Sequence, residues 1–366
     1  MSEFQFFQVE RKFHGIHALI FHQPFWSLDS NGNNIWEGEY DSIKILKKPY
    51  AIERMKALVT GCAGFIGSNL TDRLLSEGYD VIGIDSFSDY YSRSIKESNI
   101  STALKNYNFL FVEKEILSMD SFPDVDVVFH QAAQAGVRAS WGEYFSIYLK
   151  DNIQSTQRLL EWYKNKPLKK FVYASSSSVY GDAPLPMDEE MRLQPVSPYG
   201  VTKLAGEHLC YLYWKNFKVP TIALRYFTVY GPRQRPDMAI HLFVDAIMKN
   251  KPLPLYGDGS QTRDFTYVSD IVDANLLASR CSEEGEVFNI GGGSRITVKN
   301  LINEIEIACG KTAKIKYEQS QKGDTRDTQA NIQKAMENLQ WVPKVSIHEG
   351  IDMFVVWYKE MNKIRD

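Results

Sequence analysis

The sequence predicts an α/β fold: a doubly wound parallel sheet with a smaller C-terminal α/β substrate domain. Three observations carry this. From Met55 onward, short apolar runs of strand length alternate with longer helical stretches, a pattern that joins parallel strands through crossover helices. A glycine-rich turn follows the first of those strands. The 366 residues exceed one small domain and suit a large domain with a smaller one attached.

Residues 1–54 read differently. They are rich in aromatics (Phe4, Phe6, Phe7, Phe13, Phe21, Phe25, Trp26 and Trp36) and show no sustained helical or strand periodicity. They lack the basic start and apolar core of a secretory signal and carry no recognisable chemistry. They are expected to be an N-terminal extension, with the working protein beginning at Met55. Strand Ala57–Thr60 then leads through the glycine turn into a helix over Ser68–Glu77, which Gly78 can end. Further strands are expected at Asp80–Ile84, Phe109–Glu113, Val125–His130, Lys170–Ala174 and Thr221–Arg225. After about Arg233 the order loosens into the turn-rich KPLPLYGDGSQTRD. Helices near Val268–Ser279, Val298–Ala308 and His348–Asn362 follow. The division expected is a nucleotide-binding domain over 55–232, to which parts of the later chain return, and a mainly substrate-binding domain over 233–366.

Composition narrows the functions. The chain is 44% hydrophobic and 24% charged, as a folded globular protein is. Lys+Arg 42 against Asp+Glu 45 gives a net charge of -3, without the basic surplus of a nucleic-acid binder. No apolar run reaches the length of a membrane span. Cys62, Cys210, Cys281 and Cys309 are scattered without a C-x-x-C, which fits a reducing cytosol and therefore a cytoplasmic protein. The seven histidines form no H-x-x-x-H pair, and no metal site is indicated.

Gly61, Gly64 and Gly67 stand in a G-x-x-G-x-x-G turn between strand and helix. Glycines there let the backbone turn tightly and approach a pyrophosphate, and the helix N-terminus offers free N–H groups and the positive end of its dipole. Asp85 ends the next strand, where a carboxylate can bind both adenosine ribose hydroxyls and repel a 2′-phosphate. The turn therefore reads as a Rossmann-type dinucleotide site that takes NAD rather than NADP. Tyr199 and Lys203 share one helical face at i,i+4, after an N-cap and first helical residue in Ser197-Pro198. Tyr40/Lys44 and Tyr211/Lys215 have the same spacing. Only Tyr199 follows a strand ending in a hydroxyl cluster, Ser175 to Ser178. A free phenol ionises at about 10, and a neighbouring ammonium together with the nicotinamide cation lowers that value. The phenolate can then take a hydroxyl proton while the carbon's hydride moves to the cofactor.

Together these residues resemble the extended short-chain dehydrogenase/reductase family, specifically its nucleotide-sugar epimerases. TGCAGFIGSNL, HQAAQAGVRASW, SSSSVYG, SPYGVTKLAGEH, LRYFTVYGPRQRPDM and GDGSQTRDFTYV look like that family's motifs in its order. The serine run and the RYFTVYGPRQRPDM stretch look closest to UDP-glucuronate 4-epimerases. The resemblance implies that Phe65 and Ile66 contact the pyrophosphate, Asp85 the ribose, and Ile116 with Glu115 the adenine. It implies that Ala132, Ala133 and Gln134 line the cofactor with Asn152 nearby. Ser176 and Tyr199 would transfer the proton, with Lys203 tuning Tyr199 and holding the nicotinamide ribose. Tyr226 and Phe227 would pack near the nicotinamide and sugar. Arg138, Arg233, Arg235 and Arg263 are its candidates for the diphosphate and uridine of a UDP-sugar, since the guanidinium fork bonds oxygens in pairs. Homodimerisation is a further implication. Thr228 stands where simple UDP-hexose epimerases usually carry Asn. The late Gly323-Asp324 pair is preceded by Gln321-Lys322, so Lys322 or Arg326 would replace the usual arginine.

A dehydratase or a uronate decarboxylase would carry a carboxylate in the strand-end motif, where this chain has Ser177-Ser178. Epimerisation needs no extra acid: hydride leaves C4, the 4-keto sugar turns, and hydride returns to the other face. Ser176, Ser177, Ser178 and Thr228 can cradle a C6 carboxylate by several hydrogen bonds, which favours UDP-glucuronate. UDP-glucose or a UDP-N-acetylhexosamine is the alternative substrate. A non-catalytic NAD sensor and a net NAD-linked dehydrogenase are the alternative functions.

Overall fold

The computed structural model describes residues 9–13, 16–28, 34–44, 54–293, 295–319 and 325–364. Two units are separable, Met1–Arg54 and Met55–Asp366. In the first, β1 (Val9–Phe13), β2 (Ile16–Leu28) and β3 (Asn34–Lys44) form an antiparallel sheet in that order. This corrects the expectation of a segment without strand periodicity. The pairing of β2 with β3 shifts register between Pro24 and Trp26. Such a shift exchanges the faces, so no single alternation runs through the segment.

The second unit opens with β4 (Lys56–Thr60), α1 (Phe65–Ser76), β5 (Asp80–Asp85), α2 (Arg93–Ile100), β6 (Phe109–Glu113) and β7 (Val127–His130). A short helix α3 (Phe145–Tyr148) runs through a π-helical turn (Leu149–Gln154) into α4 (Ser155–Tyr163). Next come β8 (Lys170–Ser176), α5 (Pro198–Phe217) and β9 (Thr221–Tyr226). The later chain adds β10 (Thr228–Tyr230), α6 (Ala239–Met248), β11 (Pro252–Tyr256), β12 (Thr262–Tyr267), α7 (Val268–Arg280) and β13 (Glu286–Ile290). It closes with β14 (Arg295–Thr297), α8 (Val298–Cys309), β15 (Lys314–Glu318), α9 (Gln333–Leu339) and α10 (Ile347–Met361).

Seven parallel strands form the main sheet in the order β13-β9-β8-β7-β4-β5-β6. Successive strand residues point to opposite faces, and the core divides accordingly. Ala57, Val59 and Phe129 pack with Leu70 and Leu74 of α1 and Ile271 of α7. Leu58, Val128 and Phe171 pack with Leu159 and Leu160 of α4 and Cys210 and Tyr213 of α5. Burial on both faces explains why these strands read as continuous apolar runs. The strand order departs in opposite directions from β4 and β7, so the ends of those two strands frame a topological switch point, where open parallel sheets bind ligands.

Two boundaries differ from expectation in ways that matter to the site. The first helix begins at Phe65 rather than Ser68, so the last glycine of the turn already lies in its first turn. β8 continues through Ser175 and Ser176, which pair with Arg225 and Tyr226 of β9. The stretch around KPLPLYGDGSQTRD, expected as loosely ordered, holds β11 and the start of β12. Its prolines hid the strand. Among the described residues β11 pairs with β15 alone, and an edge is where a strand tolerates proline.

Candidate active site

The glycine turn and the segment after β7 meet at the switch point around a crevice of about 230 Å³. Gly61, Gly64, Phe65, Ile66 and Gly67 form its floor, and Ala132, Ala133 and Gln134 face them. Gly61 has φ +69, and a Cβ there would lie 2.8 Å from the Ala132 backbone. A Cβ on Gly67 would lie 2.1 Å from the Gly61 carbonyl. The N-cap of α1, Gly64, has no side chain to cap the helix, and the first turn holds no acid. Its N–H groups and dipole are thus available to an anion. This cradle fits the pyrophosphate of NAD.

Asp85 lines the same crevice. Its carboxylate accepts from the N–H groups of Ala63 (3.0 Å) and Phe87 (2.8 Å). Burial nonetheless holds its pKa above the usual carboxylate value. Glu115 and Ile116 line the crevice further along, and Glu115 pairs with Lys150 at 2.7 Å. Asn152 lies in the π-helical turn, off the crevice wall. Its amide bonds the backbone of Gln134 twice (2.8 and 3.0 Å) and Thr202 of α5 (2.9 Å), tying the wall to the Tyr199 helix. A π-turn at such a place is a common accompaniment of a functional site.

Tyr199 and Lys203 both reach the crevice from α5. Ser197 caps that helix by accepting from the Gly200 N–H at 3.1 Å, with Pro198 in its first turn. Ser176, at the end of β8, lies near enough to the Tyr199 hydroxyl to bear on its ionisation, while its own hydroxyl donates to that of Ser178 at 3.1 Å. Burial raises the Tyr199 pKa, while Ser176 and the Arg235 guanidinium pull it down. Lys203 donates to the Ala174 carbonyl at 2.8 Å, and burial lowers its pKa to about 7. Of the two other Tyr/Lys pairs, Tyr211 is exposed on α5 against Trp214, and the side chains of Tyr40 and Lys44 lie outside the described residues. Tyr226 lines the crevice. Phe227 does not, and is buried against Val179, Tyr180 and Met187.

A second cavity, of about 740 Å³, holds Arg138, Thr228, Arg235 and Arg263. The Arg138 guanidinium lies 4.4 Å from the centre of the Tyr256 ring. Arg235 lines both cavities and is ion-paired with Asp237 at 2.9 Å. Arg233 lies on neither wall and pairs with Asp72 of α1 at 2.6 Å. Ser177 and Ser178 form the half-buried turn after β8, where the Ser176 hydroxyl accepts from the Ser178 N–H at 3.1 Å. Of the late basic candidates, Arg326 lines the second cavity, whereas Gln321, Lys322, Gly323 and Asp324 lie outside the described residues. Among the described residues no group of three His, Cys, Asp or Glu side chains is placed to hold a metal.

Several site residues carry no motif that sequence reading could use. Tyr148 donates to the carbonyls of Ala135 (3.1 Å) and Gly136 (2.8 Å), and its ring meets that of Tyr199 edge-on at 6.3 Å. Tyr90 donates to Asp237 at 3.0 Å between the cavities. Buried His130 lies 2.7 Å from the Thr60 hydroxyl and 3.0 Å from that of Thr156. Thr156 gives its own proton to the Asn152 carbonyl, so His130 Nε2 carries the hydrogen and Nδ1 accepts from Thr60. Thr60 in turn accepts from the Ala132 N–H. A neutral imidazole thus braces the crevice wall.

Two consequences are measurable. Gly67→Ala is expected to weaken NAD binding by about tenfold or more, because the added methyl must displace the Gly61 carbonyl from the cradle. A titration of intrinsic fluorescence with NAD checks this. Burial lowers the His130 pKa to about 3, below its unfolded value of about 6.5. Between those values the unfolded chain binds a proton that the folded one refuses, so stability falls as pH drops through this window. His130→Gln is expected to remove up to about 1.4 kcal/mol per pH unit from that slope, read by urea unfolding from pH 6.5 to 4.

Residues 57–291 match the NAD dependent epimerase/dehydratase family. The chain is 44% identical over 302 residues to an uncharacterized UDP-glucose epimerase, YtcB, of Bacillus subtilis, covering 81% of this chain and 96% of that protein. It is 40% identical over 311 residues to the UDP-glucuronate 4-epimerase of Thermodesulfobacterium geofontis, with 83% and 96% covered. The crystal structure of UDP-glucuronic acid 4-epimerase from Bacillus cereus, in complex with UDP-glucuronic acid and NAD, superposes with a TM-score of 0.82 at 45% identity. That likeness covers 84% of this chain and 100% of the other. The glycine cradle, the Tyr199 helix and these matches place the chain in the NAD dependent epimerase/dehydratase family, and its cofactor is NAD.

Proposed function

We propose that the chain interconverts UDP-glucuronate and UDP-galacturonate by epimerisation at C4 of the sugar. The observation that carries this is Tyr199, set with Lys203 in the cofactor crevice near Ser176, beside a second cavity that shares Arg235. The UDP-glucuronate 4-epimerase relative and the Bacillus cereus complex support the reading.

Bound NAD supplies a two-electron acceptor that gives the electrons back within the same turnover. The glycine cradle would hold its pyrophosphate, Asp85 its adenosine ribose, and Ile116 its adenine. The chain's own groups move the proton. Tyr199 Oη takes the proton of the C4 hydroxyl and returns it after the 4-keto sugar has turned, and Ser176 shortens the path. The Lys203 ammonium and the Arg235 guanidinium favour the phenolate against the burial that opposes it. Arg138, Arg235 and Arg263 would hold the diphosphate and uridine in the larger cavity. Ser176, Ser177, Ser178 and Thr228 would cradle the C6 carboxylate, and fixing that group discourages loss of carbon dioxide from the β-keto acid.

Incubation with UDP-glucuronate and, separately, UDP-glucose is expected to give a galacturonate product from the first, seen by NMR, with no net rise in reduced-nicotinamide absorbance. Turnover of UDP-glucose with none of UDP-glucuronate would transfer the assignment to the neutral sugar. Tyr199→Phe is expected to lower kcat by about 10²–10⁴-fold while leaving NAD bound. Full activity in that variant would instead favour a proton path that bypasses the phenol.

The same reading includes a homodimer. Val201, Leu212 and Phe217 of α5, with Trp141, Tyr144 and Ile147 ahead of α4, are exposed apolar side chains, and such side chains mark association surfaces where they adjoin one another. Light scattering is expected to give twice the chain mass, and Leu212→Glu to shift it toward one. Among the described residues no helix is long and apolar enough to cross a membrane.

A further inference from the structure

An ion pair that the proton-transfer scheme does not use is buried behind the crevice. Glu207 lies one turn beyond Lys203 on α5, and Arg225 lies on β9. Both side chains are only 4% exposed. Arg225 donates twice to the Glu207 carboxylate, from Nη2 at 2.8 Å and from Nε at 3.0 Å. The Ser175 hydroxyl donates to the same carboxylate. Arg225 Nη1 donates to the Tyr180 hydroxyl at 2.8 Å, and that hydroxyl donates to Asn289 of β13 at 2.7 Å.

A buried pair of this kind is poorly explained by stability. The desolvation of both ions roughly offsets their attraction, and apolar replacement is often neutral or stabilising. Its position is more informative. Three consecutive residues at the end of β8 are each met by α5. The Ala174 carbonyl accepts from Lys203, the Ser175 hydroxyl donates to Glu207, and Ser176 lies near Tyr199. Ser175 lines the crevice with its hydroxyl tied to Glu207, and it adjoins Ser176 in the same strand, so holding one fixes the other. Around Lys203 stand Tyr199, Glu207 and Cys210 on α5, His130 on β7 and the Tyr173 ring of β8 at 5.1 Å, and Arg225 of β9 bears on it through Glu207. Among these groups Glu207 is the carboxylate, and it opposes the burial that discharges the lysine.

We propose that Glu207, clamped by Arg225, is a positioning residue for proton transfer: it holds the end of β8 in place on α5 and keeps Lys203 an ammonium beside Tyr199. The proposal rests on the epimerase reading above. The sign is fixed by charge. Without the carboxylate Lys203 loses its proton at lower pH, the phenolate loses a neighbouring cation, and Tyr199 needs a higher pH to ionise.

The test replaces both charges, as Glu207→Gln with Arg225→Gln, so that no lone ion is left buried. In the NAD-bound double variant kcat for UDP-glucuronate is expected to fall about tenfold with KM within about twofold. The rising limb of the kcat–pH profile is expected to move up by about one unit. A folded double variant with the wild-type kcat and the wild-type limb overturns the proposal. If the double variant does not fold, Ser175→Ala and Glu207→Asp decide it: lower kcat in both at unchanged KM supports it, and wild-type kcat in both overturns it. Should the wild type turn over no UDP-sugar, the functional reading fails first. The Lys203 pKa, followed by the 13Cε shift in lysine-labelled protein, then still decides this one. It is expected to fall by about one unit in the double variant or, where that does not fold, in Glu207→Gln, which also removes the carboxylate, and an unchanged value overturns the proposal.

Discussion

The site depends on one hydrogen bond, from the buried Lys203 ammonium to the Ala174 carbonyl. An unpaired cation in the interior is costly, and burial draws this one toward neutrality. The bond to β8 both relieves that cost and fixes where the α5 face can sit. Tyr199, one turn earlier, is thereby brought to the end of the strand, where Ser176 meets it. The glycine cradle, the switch point and the second cavity are arranged around this meeting of one helix with one strand end.

Much of this was legible because it is local. Gly61, Gly64 and Gly67 are dictated by backbone geometry within a single turn, and Asp85 by the end of the following strand. Tyr199 and Lys203 needed only helical spacing together with the strand before them. The family resemblance then ordered the remaining motifs, and the parallel sheet followed from alternation that both core faces maintain. The lining of the crevice by Ala132, Ala133 and Gln134 was accessible for the same reason, since these residues directly follow β7.

What escaped is what depends on distant parts of the chain. Arg233 sits among the arginines of its motif, yet its partner Asp72 is far away in sequence on α1, and no spacing rule links the two. Tyr148 and Tyr90 enter the site through tertiary packing alone. Phe227 follows Tyr226, but the alternation of side chains that puts one at the crevice buries the other. In the first unit the register shift of β2 against β3 erased the alternation that identifies strands. Prolines at 252 and 254 concealed β11 because their tolerance depends on an edge position that only the assembled sheet defines.

Arg235 belongs to two cavities at once, and a single guanidinium cannot be fully engaged by both occupants independently. Whatever anion settles in one compartment alters the field and the donor geometry available in the other. By thermodynamic reciprocity the second occupant must then alter the grip on the first by an equal factor. Where the redox partner and the glycosyl nucleotide both draw on that guanidinium, their equilibria are linked through one positive charge.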